Sequence, residues 1–135
     1  MIEDGYKSGF VIPAEIPSQN ETEKGRNRNA RWAKTKARRN LWCLLCAAGM
    51  VKCGARLATG PRKIHILSYR RKRCRDIANV IGGAKSCVDG MVDAGLLLDD
   101  SDIDGKALIT YEQDVASKSP TKKPCTVVYV GDIHA

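Results

Sequence analysis

The stretch from Arg70 to Asp102 concentrates the side chains that could do chemistry, because cations and carboxylates stand at the two ends of an apolar segment. Five of the six residues from Arg70 to Arg75 are Arg or Lys, and Asp76 follows at once, so a carboxylate lies inside a positive field. Further on, Asp99, Asp100, Asp102 and Asp104 crowd together, a pile of like charge that solvent or a divalent cation must neutralise. Each block has a plain reading taken alone. RRKRCR is a solvated basic strand end, and DDSDID a polar turn with Asp caps. Separated by one helix of about fifteen residues, the blocks can return to the same end of a small domain, as metal-assisted attack on a phosphodiester requires: carboxylates for the metal, cations for the phosphate.

The surrounding pattern supplies elements to position them. After the turn signal Gly60-Pro61, residues 62–69 (RKIHILSY) alternate as a strand that delivers its end into the basic run and places Asp76 just beyond it. Residues 80–94 form a helix with Val80, Ala84, Cys87, Val88, Met91 and Val92 inward, weakened near its start by Gly82 and Gly83 and stopped at Gly95. Lys85 and Asp89 lie one turn apart on it and can pair. Leu96 to Leu98 make a short buried connection to the acids. Upstream, 10–16 (FVIPAEI) reads as an edge strand or a strand start, since Pro13 cannot donate to a ladder, and 17–29 as a polar loop. Residues 30–51 form a helix whose buried stripe is Ala33, Ala37, Leu41, Leu44, Leu45 and Ala48. Eight Lys or Arg fall within 24–39, with Arg31, Lys34 and Arg38 along one flank. Residues 106–113 and 125–130 are two further strands, with Lys118, Lys122 and Lys123 at an exposed hairpin tip between them.

The chain of 135 residues, 43% hydrophobic, suits one domain spanning 1–135: a small α/β (α+β) fold of about four strands and two main helices. A net charge of +8 implies a polyanionic partner, nucleic acid first. The acidic, apolar-poor start reads as no signal peptide. The longest apolar run, 41–51, falls well short of the roughly 20 residues of a membrane span. The expectation is a soluble, cytoplasmic protein with no membrane partner. Cys43, Cys46 and Cys53 can share one helical face, but His65 and His134 are not at finger spacing, so the thiols read as small buried apolar groups rather than zinc ligands.

In its motifs the chain resembles the RusA-type Holliday-junction resolvases of phages and prophages. The pattern is R-D-x-D-N, a helix carrying a Lys and an Asp four apart, and D-A-G followed by three apolar residues and D-D. It stands here as Arg75-Asp76-Ile77-Ala78-Asn79, Lys85 with Asp89, and Asp93-Ala94-Gly95-Leu96-Leu97-Leu98-Asp99-Asp100. Ile16-Pro17-Ser18-Gln19-Asn20 resembles the family's N-terminal P-S-x-N turn. The resemblance implies a mixed sheet with two helices in a two-fold homodimer, acting in a bacterial host cell as a Mg²⁺-dependent, or Mn²⁺-dependent, endonuclease that resolves branched DNA by paired nicks. It further implies metal-binding and catalytic roles for Asp76 and Asp100 and for position 78, with Lys85 steadying the scissile phosphate. DNA contacts are expected from Arg31, Lys34, Arg38, Arg70, Arg71, Lys72, Arg73, Arg75 and Asn79. Position 78 departs from the pattern, because Ala78 cannot ligate a cation. Either a ligand has been lost naturally, leaving a weak enzyme or a pure junction binder, or alanine was put in place of aspartate to trap an inactive complex; the intact remainder of the motif favours the second. A rival reading, a non-catalytic nucleic-acid-binding module, needs only the basic charge. An RNA-binding accessory protein fits the composition too but leaves the bracketing unexplained.

Overall fold

The structure, a computed structural model, describes residues 5–18, 28–99 and 107–133, with backbone only over 28–31. A four-stranded mixed sheet packs one face against helices in a single small α+β domain. In chain order the elements are β1 (Ser8–Ile12), α1 (Arg28–Cys53), β2 (Arg62–Arg70), α2 (Ile77–Gly83), α3 (Lys85–Asp93), β3 (Ala107–Val115) and β4 (Cys125–Asp132). The sheet order is β1-β4-β2-β3, with β2 and β3 parallel and the other pairs antiparallel. Strand β4 is central, and its β-branched run is buried along most of its length, as a strand covered on both faces requires. Strand β1 is an edge and ends at Ile12, one residue before Pro13; the expected strand over 10–16 is therefore shorter and starts earlier.

Alternation on β2 sorts the two faces. Ile64 and Ile66 join Phe10, Ile12, Val128 and Val130 beneath Trp42, Cys46 and Met50 of α1 and Cys87, Val88 and Met91 of α3. On the opposite face Leu67, Cys125 and Val127 form a smaller cluster with Tyr69 and Tyr129. There His65 is spent on structure, with Nδ1 2.7 Å from Thr110 Oγ1 and Nε2 3.2 Å from Glu112 Oε1.

Several expectations are corrected. The buried stripe of α1 is Trp42, Cys46, Gly49 and Met50, whereas Leu41 and Leu44 are 51% and 68% exposed and Ala33, Ala37 and Ala48 also face outward. Close approach selects this face: a Cβ on Gly90 of α3 would stand 2.8 Å from Cβ of Trp42, so only glycine lets α3 settle there. The helix expected over 80–94 is two helices divided at Ala84, and it begins earlier because Asp76 caps it at Ile77. Its end is as expected: Gly95 has φ +84 and the Leu96 N–H bonds Met91 O at 2.9 Å, a Schellman stop. Leu98, expected buried, is exposed. Lys118, Lys122 and Lys123 belong to a connection passing the end of β2, not to a hairpin tip, because β2 lies between β3 and β4.

Candidate nucleic-acid interface

The chain leaves β2 as a run of cations that is held rather than loose. Arg70, the last residue of the strand, is 4% exposed, and its guanidinium donates from Nη1 to Ile16 O and from Nε to Lys72 O at 3.4 Å. It clips the 14–18 segment to the strand end. The Arg71 N–H donates to Glu15 Oε1 at 2.8 Å. Further along, Gln113 near the end of β3 clamps Cys74 on both sides, accepting from its N–H at 2.8 Å and donating to its carbonyl at 2.9 Å. Between these anchors lies a recess of about 510 Å³ lined by Glu15, Ser18, Arg70, Arg71, Lys72, Arg73, Cys74 and Asn79. Four cations against one carboxylate make it an anion site by charge.

Asp76 follows the rim of the recess by two residues. It is exposed and caps α2, its Oδ1 accepting from the Ala78 N–H at 3.0 Å. Ala78 is exposed in the first turn of the same helix. Asn79 both lines the recess and donates its N–H to Asp76 O at 3.0 Å. The exposed Lys85 begins α3, beyond an α2 of seven residues that spans about 10 Å. Asp89, its expected partner, turns to Arg39 at 4.0 Å.

Asp100 lies outside the described residues, as do Asp102 and Asp104. The run that leads to them is anchored at the other end of the sheet: Leu96 O accepts from Arg62 Nη1 at 3.1 Å, and Arg62 is the first residue of β2. A nine-residue strand is about 26 Å long, so the described structure brings the basic run and Asp76 together but not the beginning of the acid run. Among the described residues, no group of three or more His, Cys, Asp or Glu is arranged to hold a metal. The second basic surface is the first half of α1. Lys34 is exposed and Arg38 half-buried; Lys36 Nζ lies 5.3 Å over the exposed Trp32 ring. Of Arg31, only the backbone is described.

Arg70, expected among the DNA contacts, lines the recess but is buried, and it has a structural part as well, donating to Ile16 O and Lys72 O at the strand end. Ser18, marked only by the resemblance of its turn to P-S-x-N, lines the recess too; Glu15 and Gln113 belong to the site, and local sequence gave no sign of them. Their partners are far along the chain, and only the sheet order brings them together. Among the described residues, no helix is long and apolar enough to cross a membrane. No model of a known protein family matches the chain, and no curated protein matches it.

Proposed function

We propose that the chain binds branched DNA as a RusA-type junction protein, a Mg²⁺-dependent structure-selective endonuclease by descent whose carboxylate set is incomplete at position 78. The observation that carries this reading is the cationic recess beside Asp76. It is roomy enough to admit a backbone phosphate, its walls are anchored by Arg70 and Gln113, and its lining runs on to the carboxylate that the motif assigns to the metal. Arg71, Lys72 and Arg73 would neutralise the phosphate, and Arg75 and Asn79 would flank it. On this reading Asp76 and Asp100 would hold Mg²⁺ or Mn²⁺, which when bound would supply an activated water and shield the leaving oxygen; because the run toward Asp100 leaves from the far end of β2, the shared site would require the residues after Asp99 to return toward Asp76. Asp76 follows the recess-lining Cys74 by two residues and a methyl group stands at position 78, so the described residues on their own do not make a metal site. Paired nicks across a four-way junction require two recesses related by a two-fold axis, hence a homodimer.

The test is nicking of a synthetic four-way junction with and without Mg²⁺, by this chain and by its Ala78→Asp variant. The variant should nick, and Asp76→Asn or Asp100→Asn within it should abolish nicking, while the parent binds and stays inert. A second reading, a pure junction-binding protein, is favoured by Ala78 itself. An Ala78→Asp variant that binds junctions yet stays inert in millimolar Mg²⁺ and Mn²⁺ would sink the nuclease reading and leave the binder.

A further inference from the structure

The first part of α1 is an arm that reaches past the sheet. Strands β1 and β2 both run antiparallel to β4, so they are parallel to each other and end on the same side of the sheet, where Arg70 clips Ile16. Helix α1 carries the chain from the end of β1 back to the start of β2, and therefore begins on that side, the side of the cationic recess. Its buried stripe starts at Trp42, with Arg39 pairing to Asp93 and Asp89 of α3 just before it. Ahead of these, residues 28–38 make about 16 Å of helix, and every residue from Trp32 to Ala37 is exposed. Trp32 is the one large apolar side chain there, and it is 66% exposed. Lys36 Nζ lies 5.3 Å over its ring, which steadies one face of the indole and leaves the other for a flat partner. Trp32 precedes Arg39 by about two turns and Cys46 by about four, so it lies on the stripe that faces inward further along. The indole is thereby directed over the recess end of the sheet, not away from it.

The neighbours of Trp32 choose among the surfaces that could cover it. A membrane interface or an apolar protein groove would take it together with the exposed Leu41 and Leu44, but those lie on the other side of the helix. Around Trp32 stand Thr35, Lys36 and Arg39. Residues 28–39 hold six Lys or Arg, and α1 contains no acidic residue, so the arm suits a polyanion. An aromatic ring framed by cations matches a nucleobase and the phosphates on either side of it. We infer that Trp32 stacks on a base left uncovered where the bound DNA branches. This rests on the DNA-binding reading above and deepens it by naming a side chain that tells a branch from a straight duplex. In a continuous duplex each base face is covered by the next pair, whereas a branch leaves faces open. Cations on phosphates do not read that difference.

The test is binding of the full chain to two labelled forks that differ only in their branch nucleotides, unpaired thymidines in one and abasic residues in the other. Their phosphates are the same. Wild type should therefore prefer the thymidine fork by about tenfold, Trp32→Ala should bind both alike, and Trp32→Phe should keep the preference in part. Since no charge is lost, the salt slope of Trp32→Ala on the abasic fork should match that of wild type. Indole emission should be quenched by the thymidine fork in wild type but not in Trp32→Phe, where the buried Trp42 is the only indole left. Equal wild-type affinity for the two forks, or a Trp32→Ala chain that keeps the preference, would overturn the inference while the salt slope still reported phosphate binding. Binding to neither fork would remove the DNA reading and this inference with it. Indole emission that shifts to the blue on anionic vesicles and is unmoved by DNA would assign Trp32 to a membrane surface and overturn the inference as well.

Discussion

Arg70 and Asp76 stand at the two ends of one loop and do different work. Arg70 is buried and gives hydrogen bonds to carbonyls, so it shapes the recess as well as lining it. Replacing it with Met strands the Ile16 carbonyl without its donor, which costs about 1–3 kcal/mol, and urea unfolding should read that loss. Arg73 is exposed, so Arg73→Ala should move stability by under about 0.5 kcal/mol yet weaken DNA affinity. Equal effects of the two on stability would remove the distinction. The same logic makes position 78 a clean site for substitution. It is exposed in the first turn of α2, where a carboxylate meets the positive end of the helix, so Ala78→Asp should hold or raise stability by about 0.3–1 kcal/mol. A loss above about 1 kcal/mol would show that nicking by that variant cannot be read simply.

At the scale of elements, α1 and α3 are joined by packing and by Arg39, which pairs with Asp93 and, at 4.0 Å, with Asp89. Arg39 donates to both carboxylate oxygens of Asp93, at 2.6 and 2.7 Å, and this hydrogen bonding holds the Asp93 carboxyl below its usual range. Its stabilising effect is therefore present above the ordinary carboxylate value of about 4 and is lost as pH falls through the lowered folded value. Arg39→Met removes the cause, so stability should fall less steeply below about pH 4 than in wild type when urea midpoints are followed with pH. Parallel curves would place the pair among surface contacts of no consequence. A second joint is Gly83, where a Cβ would collide with the Pro17 carbonyl. Gly83→Ala must push the 14–18 segment off α2, and because Glu15 and Ser18 line the recess, it should weaken anion binding as well as stability. Such joints also mark how far the sequence could be read. Period and composition were enough for β2, β4 and the long α1, whose signals are local. They did not say which of the two stripes of α1 faces inward, because both are apolar at helical spacing and the choice rests on Gly90 and Trp42, 48 positions apart in the chain. They located the basic run and Asp76 as neighbours. The clamp by Gln113 and the clip by Ile16 follow from sheet order, and hydropathy carries no trace of either.

For the whole molecule the question is where a net charge of +8 is displayed. Some cations are spent internally: Arg70 on carbonyls, Arg39 on Asp93, Lys7 and Arg62 on Asp132. Among the other described cations, besides Lys52, Arg56, Lys63, Lys85, Lys118, Lys122 and Lys123, two groups matter for the proposed reading: Arg71, Lys72 and Arg73 at the recess with the exposed Arg75 just after them, and Lys34, Lys36 and Arg38 on the arm of α1. On the proposed reading the two patches would engage two backbones that diverge at a junction, and a straight duplex would engage one of them. Junction binding should therefore be tighter than duplex binding, by an excess that depends on both patches. If about six phosphates are neutralised, log K should fall against log salt with a slope of roughly −5 on the junction. On duplex, contact with one patch should roughly halve it. Lys34→Gln with Arg38→Gln should lower the junction slope by about 2 and bring junction affinity toward that of duplex. Titration of labelled junction and duplex across a salt series measures both quantities, and equal slopes on the two substrates would mean that the patches do not act together.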